Sequence, residues 1–240
     1  LGFATMENLR LVRSVEQIVL GLEPGVKGLD PARRSFIFER MWNLLVDLLH
    51  GRASNIALAA IDTALWDICG RRAGMPVWQL LGGYRDKVPA YASGTLWRHH
   101  DNDRLQKDAA ALVAQGYKAM KLRLGITRPF ADEALRAKLV REAAGPNTSL
   151  LVDALWALTP MQGVRMANML GELDYAWLEE PVREGDFAGL AHVRATRALP
   201  IAGGERISRV QQLAELIPCV DHAILDMIHL GGITPFQRAA

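Results

Sequence analysis

The sequence predicts an α/β fold, a modified (β/α) barrel with the helical part of an α+β domain before it. The first observation is that, from about residue 87 onward, short apolar runs alternate with amphipathic helical stretches, which is typical of parallel βαβ units. The second is that corresponding points recur about every 22 to 30 residues, a spacing typical of a (β/α) barrel. About six units are visible in the sequence, whereas eight close a barrel.

Three helical segments precede the alternating region. Residues 30–50 have helical periodicity after an Asp-Pro start, and Gly51 follows the last turn. Ser54 is expected to cap a second helix that reaches about Gly70 and is apolar on most of its circumference. A shorter helix in the segment PVWQLLGG is expected to end at its paired glycines.

Composition excludes several classes of protein. The chain has 240 residues, half of them apolar, and a formal charge of +2, which allows a large buried core. Charges of both signs are interspersed, so we expect no nucleic-acid partner. No apolar run approaches the roughly 20 residues that span a bilayer and no signal peptide opens the chain, so we expect a cytoplasmic protein without a membrane partner. Cys69 and Cys219 lack the spacing of a zinc site or a disulfide framework.

The strands are predicted at VPAYASG, AMKLRLG, SLLVDAL, YAWLEEP, LPIAGGE and HAILDM. Three of them in succession end on an acid, namely Asp153, Glu179 and Glu205, and the interval is 26 residues in both cases. We therefore expect the three carboxylates at one height, at the strand ends that face a barrel mouth. Converging carboxylates repel one another unless a cation neutralises them, and an all-oxygen set favours Mg²⁺, or Mn²⁺, over zinc. Each acid alone is equally well explained as a helix cap.

The run YAWLEEP ends in two adjacent acids. Side chains alternate between the two faces of a strand, so only one of the two can point inward. Glu179 is expected to point inward with Trp177, and Glu180 to face the outer helices, where it needs a basic partner.

Two cations and a later acid complete the candidate residues. Lys121 and Arg123 are two positions apart and share a face, so we expect them to point where the carboxylates point. A lysine beside another cation and a metal has a lowered pKa and can act as a base, whereas arginine stays protonated; the alternative is a pair of solvated charges. Asp226 ends the sixth run and is a candidate for a proton relay, while His229, in the following loop, is more often a surface group.

The ordered motifs ALAAIDTALWDICGRRAGMPVWQLLGG, GYKAMKLRLG, LLVDA, WLEEPV, GGE and ILDMIHLGGIT resemble the enolase superfamily, most closely its mandelate racemase and acid-sugar dehydratase branch. The resemblance runs through nearly the whole chain. It implies a capping domain at residues 1–85, a barrel domain at residues 86–240, and a magnesium ion bound by three acids. It also implies abstraction of the proton α to a substrate carboxylate to form an enediolate.

The resemblance assigns roles residue by residue. Asp153, Glu179 and Glu205 match the metal ligands. Lys121 matches the first lysine of the family's K-x-K motif, and Asp226 matches an aspartate that pairs with a histidine on the next strand. Aspartate at this point, in place of the lysine of the muconate-lactonizing branch, favours the dehydratase or racemase side.

The sequence also departs from the family pattern. Arg123 stands in place of the second lysine, which favours dehydration with one base over racemisation with two, and Leu155 replaces a common asparagine. By the same resemblance, we expect the chain to end before the family's seventh and eighth strands and to lack the opening meander of its capping domain. We therefore expect a fragment with an incomplete site, which aggregates or needs partner contacts because its strand edges are open.

The resemblance thus implies a lyase, an acid-sugar dehydratase that acts on a small carboxylate substrate and forms a 2-keto-3-deoxy acid. We also expect a homo-oligomer. Two alternatives stay open: a racemase or cycloisomerase on the same scaffold, and a non-catalytic truncated relative.

Overall fold

The structure is a computed structural model that describes residues 12–46, 51–125 and 128–239. The chain divides into two compact units. One, here called the helical unit, comprises residues 1–87, 205–213 and 225–240, and the other, the sheet unit, comprises residues 88–204 and 214–224. The predicted domain ranges, 1–85 and 86–240, stay a prediction.

In chain order the helices and strands of the described residues are α1 (Val12–Gly21), α2 (Glu23–Val26), α3 (Arg34–Leu44), α4 (Arg52–Ala73), α5 (Val77–Leu80), β1 (Ala92–Leu96), α6 (Asn102–Ala114), β2 (Ala119–Arg123), α7 (Phe130–Ala144), β3 (Ser149–Asp153), α8 (Pro160–Glu172), β4 (Trp177–Glu179), α9 (Phe187–Arg194), β5 (Ile201–Gly203), α10 (Leu213–Leu216), β6 (His222–Ala223), α11 (Met227–Leu230) and α12 (Ile233–Ala239). Within the described ranges no helix is long and apolar enough to cross a membrane.

The three predicted helices are present as α3, α4 and α5, but two of them begin elsewhere than predicted. α3 begins at Arg34 because the Asp30 carboxylate accepts a hydrogen bond from the Ala32 N–H (3.1 Å), which closes a turn before the helix. α4 begins at Arg52, and Ser54 is buried inside it, so Ser54 is not its cap. The predicted end of the first helix, from residue 47 to residue 50, lies outside the described residues.

The helical unit has an apolar core that α1, α3 and α4 build together. Its buried side chains are Val15, Leu22, Ile37, Phe38, Met41, Leu45, Ile56, Ala57, Leu58 and Leu65. Asp62 of α4 is also buried, and its carboxylate accepts hydrogen bonds from the Thr234 N–H (2.8 Å) and hydroxyl (2.6 Å) at the start of α12. A Cβ atom at Gly232 would lie 2.5 Å from this carboxylate, so the turn before α12 requires glycine.

The sheet unit is built on six parallel strands in the order β1-β2-β3-β4-β5-β6, so that each strand pairs with the next in sequence. This sequential parallel order, with helices between the strands, is that of a (β/α) barrel and confirms the predicted fold class. The four central strands β2 to β5 are mostly buried, as parallel strands covered by helices require, whereas β1 is partly buried and β6 is exposed. β6 is shorter than predicted: it ends at Ala223, and Asp226 is already the N-cap of α11.

Candidate active site

Three neighbouring strands each end on a charged residue. These three residues lie in a single row across the sheet. Arg123 is opposite Asp153 in the β2–β3 ladder, and Asp153 is opposite Glu179 in the β3–β4 ladder. The predicted common height of Asp153 and Glu179 is therefore confirmed. It does not extend along the ladder to Glu205, because Ala202 lies opposite Glu179 and β5 ends before Glu205.

Lys121 joins the two carboxylates. Its Nζ lies 2.8 and 3.0 Å from the two carboxylate oxygens of Glu179 and 3.6 Å from Oδ2 of Asp153. All three residues are buried, since Lys121 is 5% exposed, Glu179 2% and Asp153 1%. The interpretation of Lys121 as a solvated charge is therefore wrong, and the predicted shared orientation of the lysine and the acids is confirmed.

Arg123 supplies a second cation beside Asp153. Its Nη1 lies 3.4 Å from Oδ2 of Asp153, and its Nη2 donates to the hydroxyl of Ser93 (3.2 Å). The guanidinium also lies over the indole of Trp97, 4.7 Å from the ring centre, which is cation–π geometry. Arg123 thus touches the loop after β1 as well as β3.

Aromatic side chains surround the lysine–glutamate pair. Trp177 donates from Nε1 to Oε2 of Glu179 (3.3 Å), which confirms that Trp177 and Glu179 share a face. The ring of Tyr91 lies 5.7 Å from Nζ of Lys121 and meets Trp177 edge-on. The lysine–glutamate pair is therefore buried beside two aromatic rings, where electrostatic attraction is stronger than in water.

Burial and neighbouring charges change the pKa values of this cluster. Burial raises the pKa of Glu179, and the charge of Asp153 raises it further, although Lys121 opposes both effects. Burial alone lowers the pKa of Lys121, but the charges of Glu179 and Asp153 outweigh burial, and the pKa is raised. The expected lowering of the Lys121 pKa assumes a bound metal ion beside the lysine and stays a prediction; in the arrangement seen here the closest charged groups are the two anions.

Glu180, the second acid of the pair in YAWLEEP, forms hydrogen bonds with two neighbouring loops. One of its carboxylate oxygens accepts a hydrogen bond from the Gly204 N–H (2.8 Å), and the other accepts one from Nε1 of Trp156 (3.0 Å). Both donors are neutral, and the predicted basic partner stays a prediction. Glu180 and Trp156 have φ values of 45° and 60°, the left-handed region that non-glycine residues rarely occupy.

The remaining candidates belong to the helical unit. Glu205 lies in a turn two residues beyond the end of β5 and is partly exposed. Asp226 caps α11 by accepting a hydrogen bond from the Ile228 N–H (2.6 Å), and its Oδ2 lies 3.9 Å from Nε2 of His229. The same His229 nitrogen lies 3.2 Å from the guanidinium of Arg52.

His229 is not the surface loop residue that the sequence suggested. The run that follows β6 forms the short helix α11 in place of a loop, and His229 is a buried residue of this helix. Burial lowers the pKa of His229, the charge of Asp226 raises it, and the charge of Arg52 lowers it again, with a net lowering. The imidazole is therefore neutral near pH 7, and Nε2 can accept a hydrogen bond from Arg52.

The donor set of the sheet unit fits a hard divalent cation. Asp153 and Glu179 are buried, adjacent and already share one positive group, and carboxylate oxygens are the ligands that Mg²⁺ and Mn²⁺ prefer. In the part of the chain that the structure describes, no group of three or more His, Cys, Asp or Glu side chains could hold a metal ion. Glu205 as the third ligand therefore stays a prediction.

Sequence reasoning missed two residues that hold the loops beside this cluster. Glu133 and Arg136 of α7 are buried and form an ion pair of 3.1 Å. The available signal was the pair of opposite charges three positions apart in FADEALRAKLV, which also fits an exposed helix face. Only the packing of α7 distinguishes the two interpretations.

Comparisons with known families cover most of the chain. Residues 104–240 match the family model described as "Enolase C-terminal domain-like", and residues 13–82 match "Mandelate racemase / muconate lactonizing enzyme, N-terminal domain". Among individual proteins, the chain is 34% identical over 89% of its length to the D-galactarolactone cycloisomerase of Agrobacterium fabrum. It is 33% identical over 76% of its length to the L-talarate/galactarate dehydratase of Salmonella typhimurium. The chain spans 57% and 46% of the lengths of these two relatives.

A solved structure of that dehydratase supports the same relationship. The crystal structure of the Salmonella typhimurium enzyme liganded with Mg and L-lyxarohydroxamate has a TM-score of 0.90 and 27% sequence identity to the chain. The superposition covers 97% of this chain and 60% of that one. The chain belongs to the enolase superfamily, in its mandelate racemase/muconate lactonizing enzyme subgroup.

Proposed function

We propose that the protein dehydrates a sugar acid to a 2-keto-3-deoxy acid in a Mg²⁺-dependent reaction that begins by removal of the proton α to the carboxylate. The observation that carries the proposal is the row of Arg123, Asp153 and Glu179, with Lys121 bound between the two acids. Such a set of two cations and two buried carboxylates can bind a divalent cation together with an anion the size of a sugar acid.

The residues divide into metal-binding and substrate-binding groups. Asp153, Glu179 and Glu205 would hold Mg²⁺, for which Mn²⁺ could substitute. When bound, Mg²⁺ supplies positive charge that polarises the substrate carboxylate and stabilises its developing negative charge. Arg123 contributes a second positive charge for the same carboxylate and for the enediolate.

Lys121 is the candidate for moving the proton, because its Nζ lies at the centre of the cluster. A base must first be neutral, so the partner that abstracts the proton is either Lys121 in its amine form or a histidine paired with Asp226. The α C–H bond breaks and its proton goes to this base. The β C–O bond then breaks, the hydroxyl group leaves as water after receiving a proton, and the enol product becomes the 2-keto acid.

A racemase or cycloisomerase reaction is the second candidate, favoured by the similarity to a D-galactarolactone cycloisomerase. It begins with the same α-proton abstraction but returns a proton without loss of water. Racemisation needs a base on each face of the substrate α carbon. Arginine is a poor base, so Arg123 favours dehydration over racemisation.

The experiment is a test of the full-length protein with MgCl₂ and a panel of aldonic acids, aldaric acids and aldaric acid lactones in D₂O, followed by proton NMR. The expected product is a 2-keto-3-deoxy acid that carries solvent deuterium at C3. Deuterium at the α carbon of a stereoisomer, without a keto product, would identify a racemase, and turnover of an aldaric acid lactone but not of the open acid would identify a cycloisomerase. Absence of any exchange with every acid, despite metal binding, would support a non-catalytic relative.

A further inference from the structure

Helix α7 contains an arginine that is almost completely buried. Arg136 is 1% exposed, and its guanidinium donates to three backbone carbonyls of the loop that follows β1: from Nη1 to His100 O (2.6 Å), and from Nη2 to Trp97 O (3.3 Å) and Arg98 O (3.2 Å). One side chain thus holds the backbone of a loop at the carboxyl end of β1.

Glu133, one turn earlier on α7, extends this attachment to a second loop. It accepts a hydrogen bond from Nε of Arg136 (3.1 Å) and another from the Gly125 N–H (3.0 Å). Gly125 lies two residues beyond Arg123, the last residue of β2. The Glu133–Arg136 pair therefore connects the loops that follow β1 and β2.

Burial of this pair costs free energy. Burial raises the pKa of Glu133 and lowers that of Arg136, so each group resists the charged form. Loop carbonyls at a protein surface can bind water at little cost, so a buried arginine is not needed to satisfy them. What the pair adds is a fixed position for the two loops.

The first of these loops contacts a residue of the candidate active site. It carries Trp97, whose ring lies under the guanidinium of Arg123, and whose indole N–H donates to Gly94 O (2.6 Å). The position of Trp97 limits where Arg123 can place its guanidinium, because the ring and the Asp153 carboxylate are both in contact with it.

We propose that Glu133 and Arg136 are positioning residues for substrate binding: they hold the Trp97 loop against Arg123 and so set the position of the Arg123 guanidinium. The proposal rests on the proposed function in one respect, the binding of the substrate carboxylate by Arg123. The attachment of the loop itself does not depend on any activity.

The same helix offers a matched control. Arg141 also binds backbone carbonyls: its Nε donates to Leu173 O (2.8 Å), and its Nη2 donates to Asp174 O (2.6 Å). Its Nη1 donates to Gly145 O (2.9 Å) and Thr148 O (2.8 Å). These carbonyls precede β3 and β4, at the opposite end of the strands from the candidate active site.

The first measurement is hydrogen–deuterium exchange of the full-length protein, read in peptides that cover residues 95–101. Arg136→Met should increase exchange in this loop, while Arg141→Met should leave it at the wild-type rate and increase exchange near residues 145–148 and 173–174. If Arg136→Met does not fold, Arg136→Lys keeps the charge but loses the forked donor geometry, and it should have the same effect in weaker form. Unchanged exchange at 95–101 in the folded variant would overturn the proposal, whatever the activity.

The second measurement is steady-state kinetics. Arg136→Met should lower kcat/KM by up to about 100-fold, mainly through a higher KM, because small displacements of binding groups are that costly. In a Trp97→Leu background the same substitution should change KM by less than about twofold, since the contact through which it acts is gone. Equal KM values for Arg136→Met and Arg141→Met would show a structural role alone. Absence of turnover in the wild type would contradict the proposed function. Hydrogen–deuterium exchange at residues 95–101 would still decide whether Arg136 holds the loop.

Discussion

The two ends of the parallel strands use charged side chains in different ways. At the carboxyl ends, the central cluster joins side chain to side chain, since Lys121 binds both Asp153 and Glu179, while the Glu133–Arg136 pair binds the backbone of the loops beside it. At the amino ends, charged groups mainly bind backbone: Arg141 donates to four carbonyls, and Asp221 accepts from the Ile201 N–H (2.9 Å) as well as from Arg194. Side-chain partners can be exchanged for a metal ion or a substrate, whereas backbone partners cannot be released without opening the fold. This difference favours a role in binding for the carboxyl ends and in stability for the amino ends, which is the usual arrangement in barrel enzymes.

The largest expected effect is that of removing the cation from the carboxyl-end cluster. Lys121→Met leaves Asp153 and Glu179 buried beside each other without their shared ammonium, and we expect the free energy of unfolding to fall by about 3–5 kcal/mol. Mg²⁺ should restore more stability to this variant than to the wild type, because the ion replaces the missing charge. The measurement is urea denaturation of the full-length protein with EDTA and with MgCl₂. Wild-type stability of Lys121→Met in EDTA would contradict the account.

A pH series tests this difference with one acid from each end, Glu133 and Asp221. The contributions of these two acids to the free energy of unfolding should change with pH in opposite directions. Burial raises the pKa of Glu133 above 4.5, so its contribution to stability is complete below pH 4.5 and is lost as pH rises through the higher folded-state value. Burial also acts to raise the pKa of Asp221, but the Ile201 N–H and Arg194 outweigh it and the pKa is lowered below 3.8. The contribution of Asp221 is therefore present above pH 3.8 and is lost as pH falls through the lower folded-state value.

The measurement is the free energy of unfolding of the wild type, Glu133→Gln and Asp221→Asn from about pH 3 to pH 7. The free energy of unfolding of the wild type minus that of Glu133→Gln should decrease as pH rises. The corresponding difference between the wild type and Asp221→Asn should increase as pH rises through the acid part of the range. If both differences change with pH in the same direction, then burial does not dominate at Glu133 while hydrogen bonds dominate at Asp221, and the described contrast is wrong.

The smallest expected effect lies at the amino end of β4. Tyr175 is buried, burial raises the pKa of its phenol, and its hydroxyl donates to Ala137 O (2.7 Å). Tyr175→Phe removes one hydrogen bond and should lower the free energy of unfolding by about 1 kcal/mol. Catalytic activity should stay at the wild-type value, and a change in kcat/KM larger than the change in stability explains would place this end of the strands within the functional site.

Much of the fold was predictable because alternation and strand-end residues depend on local sequence. The parallel strands, the shared face of Lys121 with the acids, and the common height of Asp153 and Glu179 all follow from two-residue periodicity and the repeat length. The interval to Glu205 failed as a guide to ladder position, because equal residue counts do not fix how many residues lie in the strand and how many in the turns.

Other features depend on packing that no local pattern contains. Nothing in the sequence around Arg136 shows that its guanidinium reaches a loop some 36 to 39 residues earlier. The raised pKa of Lys121 in this arrangement also depends on packing, because it requires that the two carboxylates lie closer to the ammonium than any cation does. His229 was assigned to a loop because a four-residue helix leaves too short a periodic signal.

We propose that Asp153 and Glu179 hold a divalent metal ion for the reaction, and metal binding tests this proposal. The direct measurement is titration calorimetry of the full-length protein with Mg²⁺ and Mn²⁺, for the wild type, Glu179→Gln and Asp221→Asn, with kcat/KM measured on the same samples. The account predicts one bound ion in the wild type and in Asp221→Asn. In Glu179→Gln it predicts loss of binding and a fall in kcat/KM of about 10²-fold or more. Unchanged metal affinity in Glu179→Gln, or an equal loss in Asp221→Asn, would contradict it.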